Sequence, residues 1–117
     1  MNNHPSPPLF DLQFLNQFDN NDLKLMLLET FIRTVPPMTS NLEEAFRNND
    51  LKALNETAHK LKPNIQMMGI KSIIESIRNL EYYKSDKFDD TVYSDIVQVI
   101  SSLSSVVEDF KLLVVKK

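Results

Sequence analysis

The chain has 117 residues, 42% of them apolar, a formal net charge of -3 and no cysteine. That length carries one helical core and is too short for two domains and a linker, and the lack of cysteine excludes disulfides, thiolate nucleophiles and Cys-ligated zinc. An acidic balance without a basic stripe argues against nucleic acid as a partner, and a single glycine, Gly69, leaves few of the turns that a multi-stranded sheet needs.

Residues 1–8 are polar and hold three of the six prolines, which reads as a flexible tail ahead of one helical domain over 9–117. Its N-terminus lacks a basic segment followed by an apolar one, so no secretory signal is expected there. From Leu9 to Phe18, apolar residues at roughly helical spacing predict a short helix packed across the ends of others. Asn20 to Val35 carries Leu23, Met26, Leu27, Thr30, Phe31 and Thr34, a wide apolar stripe. Pro36 and Pro37 then either bend one long helix or start a second, whose inner face is Met38, Leu42, Ala45 and Phe46; both readings end at Asn48 and Asn49.

Asp50 is suited to cap the next helix, whose stripe of Leu51, Leu54, Ala58, Leu61, Ile65 and Met68 is the clearest in the chain. Gly69 offers the left-handed conformation that closes such a helix. Ile70, Ile73, Ile74, Ile77 and Leu80 form a further stripe ending near Tyr83 to Lys87. Asp89 or Asp90 then opens a last helix with Val92, Ile96, Val99, Ile100, Leu103, Val107, Phe110 and Val114 inward. Short polar links make consecutive helices antiparallel neighbours, which predicts an all-α, up-down antiparallel four-helix bundle with a short additional N-terminal helix. The longest apolar clusters, Leu25 to Leu28 and Leu112 to Val115, are far too short to span a bilayer. A cytoplasmic protein, or a soluble piece cut from a larger one, is the expectation, and a monomer, since no second exposed apolar face stands out.

At 100° per residue, the same stripe puts His59, Lys62, Pro63 and Gln66 together on a flank that is not fully buried, with Asn55 and Glu56 one turn earlier. The flank displays an imidazole, an ammonium and an amide in one row. An exposed imidazole is substantially unprotonated near neutral pH and is therefore a competent nucleophile towards a phosphoryl group, where Ser or Lys is not. Lys62 is placed to screen the phosphoryl oxygens. Gln66 is a candidate to hydrogen-bond the imidazole or the phosphoryl group, and Glu56 to orient a ring nitrogen. Lys60 lies on another azimuth. Pro63 removes the amide that would bond the carbonyl of His59, so a kink or an opened turn is expected at the reactive residue. His4 reads as incidental, Tyr82 and Tyr83 as helix-end residues. One histidine with Glu56 gives too few ligands for a metal site.

The run Ala58-His59-Lys60-Leu61-Lys62-Pro63-Asn64-Ile65-Gln66-Met67-Met68-Gly69 resembles the signature of the histidine-containing phosphotransfer (HPt) domain family of bacterial phosphorelays. Phe31, the Pro36 region, Leu42, Ala45, Asp50 and Leu54 resemble that family's preceding helix and turn, and Leu80-Glu81 its following one. Pro63 stands where the family usually has glycine. The resemblance implies that His59 is the phosphorylated histidine, Lys62 the lysine near the phosphoryl group and Gln66 a polar position that orients it. It implies partners that are response-regulator receiver domains, with a hybrid sensor histidine kinase as a second class. It also implies no cofactor of the domain's own, the receiver supplying a divalent metal such as Mg. Without a Gly-rich phosphate loop, no ATP-dependent kinase activity is expected. The competing reading is a helical adaptor or inhibitor that binds a receiver or kinase without being phosphorylated.

Overall fold

The computed structural model describes residues 10–115; the expected tail, His4, Leu9 and the Lys116-Lys117 pair lie outside them. The described residues form a short helix α1 (Gln13–Asn16) and four core elements: α2 (Asn21–Arg47), α3 (Leu51–Met67), α4 (Ile74–Glu81) and α5 (Asp90–Val115). A single 3₁₀ turn, Lys71–Ile73, leads into α4. The architecture is the expected all-α bundle with a four-helix core and an added N-terminal helix. Each core helix packs on its sequence neighbour, and α5 closes the ring against α2. That last pair runs antiparallel, since Phe31 meets Phe110 and Phe46 meets Tyr93.

Of the two readings at Pro36 and Pro37, the structure takes the long one: α2 continues through both prolines for 27 residues. Two intrahelical donors are lost there, and packing outweighs the loss. Val35 and Leu42 are fully buried, and the inner face of α2 is completed by Leu28, Phe31 and Ala45. Burying one such large side chain contributes about 1.5–3 kcal/mol. The expected inward position of Met26 is corrected, because Met26 is 52% exposed and Leu28 takes its place. In α5 the inward set is as expected, with Val106 added and with Ile100 and Val114 only partly buried. The last turn of α5 exposes Leu112, Leu113 and Val115, apolar surface that the sequence reading did not anticipate. No helix of the described residues is long and apolar enough to cross a membrane.

The turns are built from local chemistry. Asn20 and Asp50 cap α2 and α3, each side chain accepting from the amide three residues on. Asp89 does the same for α5, accepting from the amides of Thr91 and Val92. Asn49 and Gly69 take positive φ, 54° and 63°, in the two turns that flank α3. At the second turn the Ile70 amide reaches back to the Ile65 carbonyl, closing the helix, while the Asp11 amide donates to the Met68 carbonyl at 2.9 Å. Gly69 is obligatory there, since a Cβ would sit 2.5 Å from the Asp11 carbonyl oxygen.

Candidate functional site

The core stripe of α3 fixes the orientation of everything else on it. Leu54, Ala58, Leu61, Ile65 and Met68 are all fully buried, so His59 and Lys62 emerge on the flank next to α4. The His59 side chain is 72% exposed and that of Lys62 20% exposed. α3 remains helical through Pro63 to Met67, so the expected opening of the turn does not break the helix. What remains is the chemistry of proline, which leaves the His59 carbonyl without an intrahelical donor.

The residue that completes the site comes from the end of α4. Glu81 follows Ile77 by one helical turn, so its side chain points back toward the core face and is only 7% exposed. A carboxylate so buried is costly unless paired. It is paired twice: one oxygen accepts from Lys62 Nζ at 2.7 Å, and the other is hydrogen-bonded to His59 Nδ1. The Lys62 ammonium holds the Glu81 carboxyl below its ordinary value, with the His59 ring nitrogen reinforcing it and burial opposing. The same contact raises the Lys62 ammonium. Lys62 Nζ also lies 5.5 Å from the centroid of the Tyr82 ring, which gives the ammonium an aromatic face.

An ionised carboxylate only accepts, so the imidazole presents Nδ1–H to Glu81, and in the neutral ring the nitrogen that carries the lone pair is then Nε2. Nε2 makes no hydrogen bond among the described residues. The ring stands in an open cleft of about 440 Å³ lined by Asn55, Glu56, His59, Lys60, Glu81 and Tyr82. The arrangement thus fixes the tautomer, orients the ring and leaves one nucleophilic lone pair facing solvent.

His59 and Lys62 are brought together as the sequence indicates. Gln66 is exposed on the same helix but bonds neither of them; it lines a neighbouring cleft with Asp11, Phe14, Met67 and Lys71. Glu56 lines the His59 cleft, yet Glu81 takes the ring nitrogen that Glu56 was expected to orient. Glu81 enters the sequence analysis only through the resemblance of Leu80-Glu81 to the following helix, with no part given to it in this cluster. One signal marked it: at four residues from Ile77, a glutamate sits on an apolar stripe and calls for a cation. Among the described residues no group of three or more His, Asp or Glu side chains is placed to hold a metal ion.

The family model for the Hpt domain matches residues 26–104, which include the whole of α3 and α4 and hence every residue of this cluster. The chain belongs to the Hpt domain family, the phosphotransfer modules of two-component phosphorelays, whose members interact there with receiver and kinase domains. Among solved structures, that of histidine-containing phosphotransfer protein B (HptB) from Pseudomonas aeruginosa PAO1 matches with a TM-score of 0.81. The match covers 96% of this chain and 99% of that one at 23% identity, a likeness of fold. No curated protein matches the chain.

Proposed function

We propose that this domain is a phosphorelay intermediate that accepts a phosphoryl group on Nε2 of His59 from a receiver-domain aspartyl phosphate and passes it to another receiver aspartate. The observation that carries this reading is the Glu81 hydrogen bond to Nδ1, which leaves Nε2 as the free lone pair on an exposed ring.

In the forward step the Nε2 lone pair attacks phosphorus, the N–P bond forms and the P–O bond to the aspartyl carboxylate breaks, with the electron pair leaving on oxygen. No proton has to move. The imidazole becomes cationic, still bonded through Nδ1–H to Glu81, and the carboxylate neutralises the charge as it develops. That contact is stronger in the product than in the resting state, so it lowers the barrier and does not merely hold the ring. Lys62 carries positive charge beside the incoming phosphoryl oxygens, and Gln66 adds a polar group further along the same face. Reversal returns the electron pair to Nε2. The receiver partner supplies the divalent metal and the remaining catalytic groups.

Incubation with a panel of phosphorylated receiver domains tests the proposal. Acid-labile phosphate should move onto this protein from at least one of them and be discharged by an unphosphorylated receiver. Absence of transfer from every receiver, with the domain folded, would contradict it.

A further inference from the structure

Asn55, His59 and Lys62 follow one another on α3 at spacings of four and three residues, and so line one face of the helix. All three grip the same short segment at the end of α4. His59 and Lys62 hold the Glu81 carboxylate, whereas Asn55 holds the main chain, its Nδ2 donating to the carbonyl oxygens of Leu80 at 2.8 Å and Tyr83 at 3.1 Å. Those two carbonyls bracket Glu81 and Tyr82. α4 is eight residues long and ends at Glu81, so the last carbonyls have no helical donors and the turn is prone to fray. Glu81 stands on that turn.

We propose that Asn55 is a positioning residue for the phosphoryl acceptor: its amide fixes the Leu80–Tyr83 turn so that the Glu81 carboxylate meets His59 Nδ1 and Lys62 Nζ. This rests on the reading of His59 as the acceptor. The side chain is half-buried and spends both of its amide hydrogens on the turn. Aspartate at this position has the same shape but offers acceptors to two carbonyls and puts a second negative charge near Glu81. Serine is too short to bridge both carbonyls. The helix that carries the nucleophile therefore also holds the end of the helix that carries its carboxylate.

The test compares wild type, Asn55→Ala, Glu81→Ala and the double variant, with Asn55→Asp as a second, isosteric probe, each checked for a folded helical spectrum. The first readout is the His59 tautomer, from ring ¹⁵N chemical shifts in the neutral imidazole. The second is the initial rate of phosphorylation by phosphoramidate, whose P–N bond breaks to release ammonia as the bond to Nε2 forms. Either Asn55 variant should lower the Nδ1–H fraction and slow phosphorylation about fivefold, the size of one lost hydrogen bond, and Asn55→Ala should add no further effect in the Glu81→Ala background, where no acceptor is left for the turn to position. Wild-type tautomer and rate in both Asn55 variants, or an Asn55→Ala effect equally large without Glu81, would overturn the proposal. A wild-type domain that takes phosphate from neither phosphoramidate nor any receiver refutes the acceptor reading itself, while the tautomer comparison still decides whether Asn55 acts through Glu81.

Discussion

Glu81 divides its carboxylate between two residues of α3, one oxygen on Lys62 Nζ at 2.7 Å and the other on His59 Nδ1. Both partners are held by a group that is itself nearly buried, so the solvent-facing imidazole is anchored from beneath. Glu81→Gln tests the charge without removing the shape. The amide oxygen still accepts from Nδ1–H, but a neutral acceptor is weaker by about 1 kcal/mol. Phosphoryl acceptance measured with a receiver donor should fall about fivefold, and an unchanged rate would remove the carboxylate's charge from the mechanism.

Lys62 bonds Glu81, and in the proposed transfer it also faces the phosphoryl group. Lys62→Ala should slow transfer about tenfold or more through loss of the positive charge. It should also lower stability, because Glu81 loses a charged hydrogen-bond partner while its side chain is largely covered. Single-turnover transfer and urea denaturation measure the two effects separately.

Acid should weaken this cluster in a defined direction. The Lys62 ammonium, and after it the His59 ring, hold the folded-state carboxyl of Glu81 below its ordinary value of 4.5, so its contribution to stability is fully present above that value and is lost as the pH falls through the depressed folded value. The stability difference between wild type and Glu81→Gln should therefore be constant at neutral pH and shrink progressively below about pH 4.5. Denaturant midpoints of both proteins across pH 7 to 3 provide the comparison. A difference that grows with acid would reverse the sign assigned here.

Gly69→Ala probes the turn that ends α3. Alanine at φ 63° is strained by about 1–2 kcal/mol, and its Cβ displaces the Asp11 backbone. The variant should be less stable, and the Asp11 amide, which donates to Met68, should lose protection against hydrogen exchange. Retained protection at Asp11 would show that the N-terminal segment is held by other contacts.

Much of this arrangement was legible in the sequence because α3 has one dominant periodicity. The buried row from Leu54 to Met68 left His59 and Lys62 a single flank, and the resemblance carried by Ala58 to Gly69 named the chemistry. The Asp50 cap and the Gly69 stop followed from residue type alone. Glu81 was not legible in the same way, because it lies 22 residues beyond His59 in sequence and on a helix whose rotation against α3 only tertiary packing sets. Glu56 was within reach of His59 by helical geometry, and so stood in for the carboxylate that the fold brings from elsewhere. The exchange of Met26 for Leu28 has a similar cause: Leu25 to Leu28 is apolar all round, and the pattern does not choose its inner side. At Pro36 and Pro37, local propensity argued for a break, and burial of Val35 and Leu42 overrode it.

The proposed acceptor of the phosphoryl group is Nε2 of His59. Phosphorylating the wild-type domain and His59→Gln with a cognate receiver, then locating the phosphate by mass spectrometry and by ³¹P–¹⁵N coupling in the intact protein, tests that atom directly. The expected result is one acid-labile phosphate, bonded to Nε2 of His59 and absent from the folded His59→Gln variant. Phosphate on Nδ1, on another residue, or retained after the substitution would contradict it.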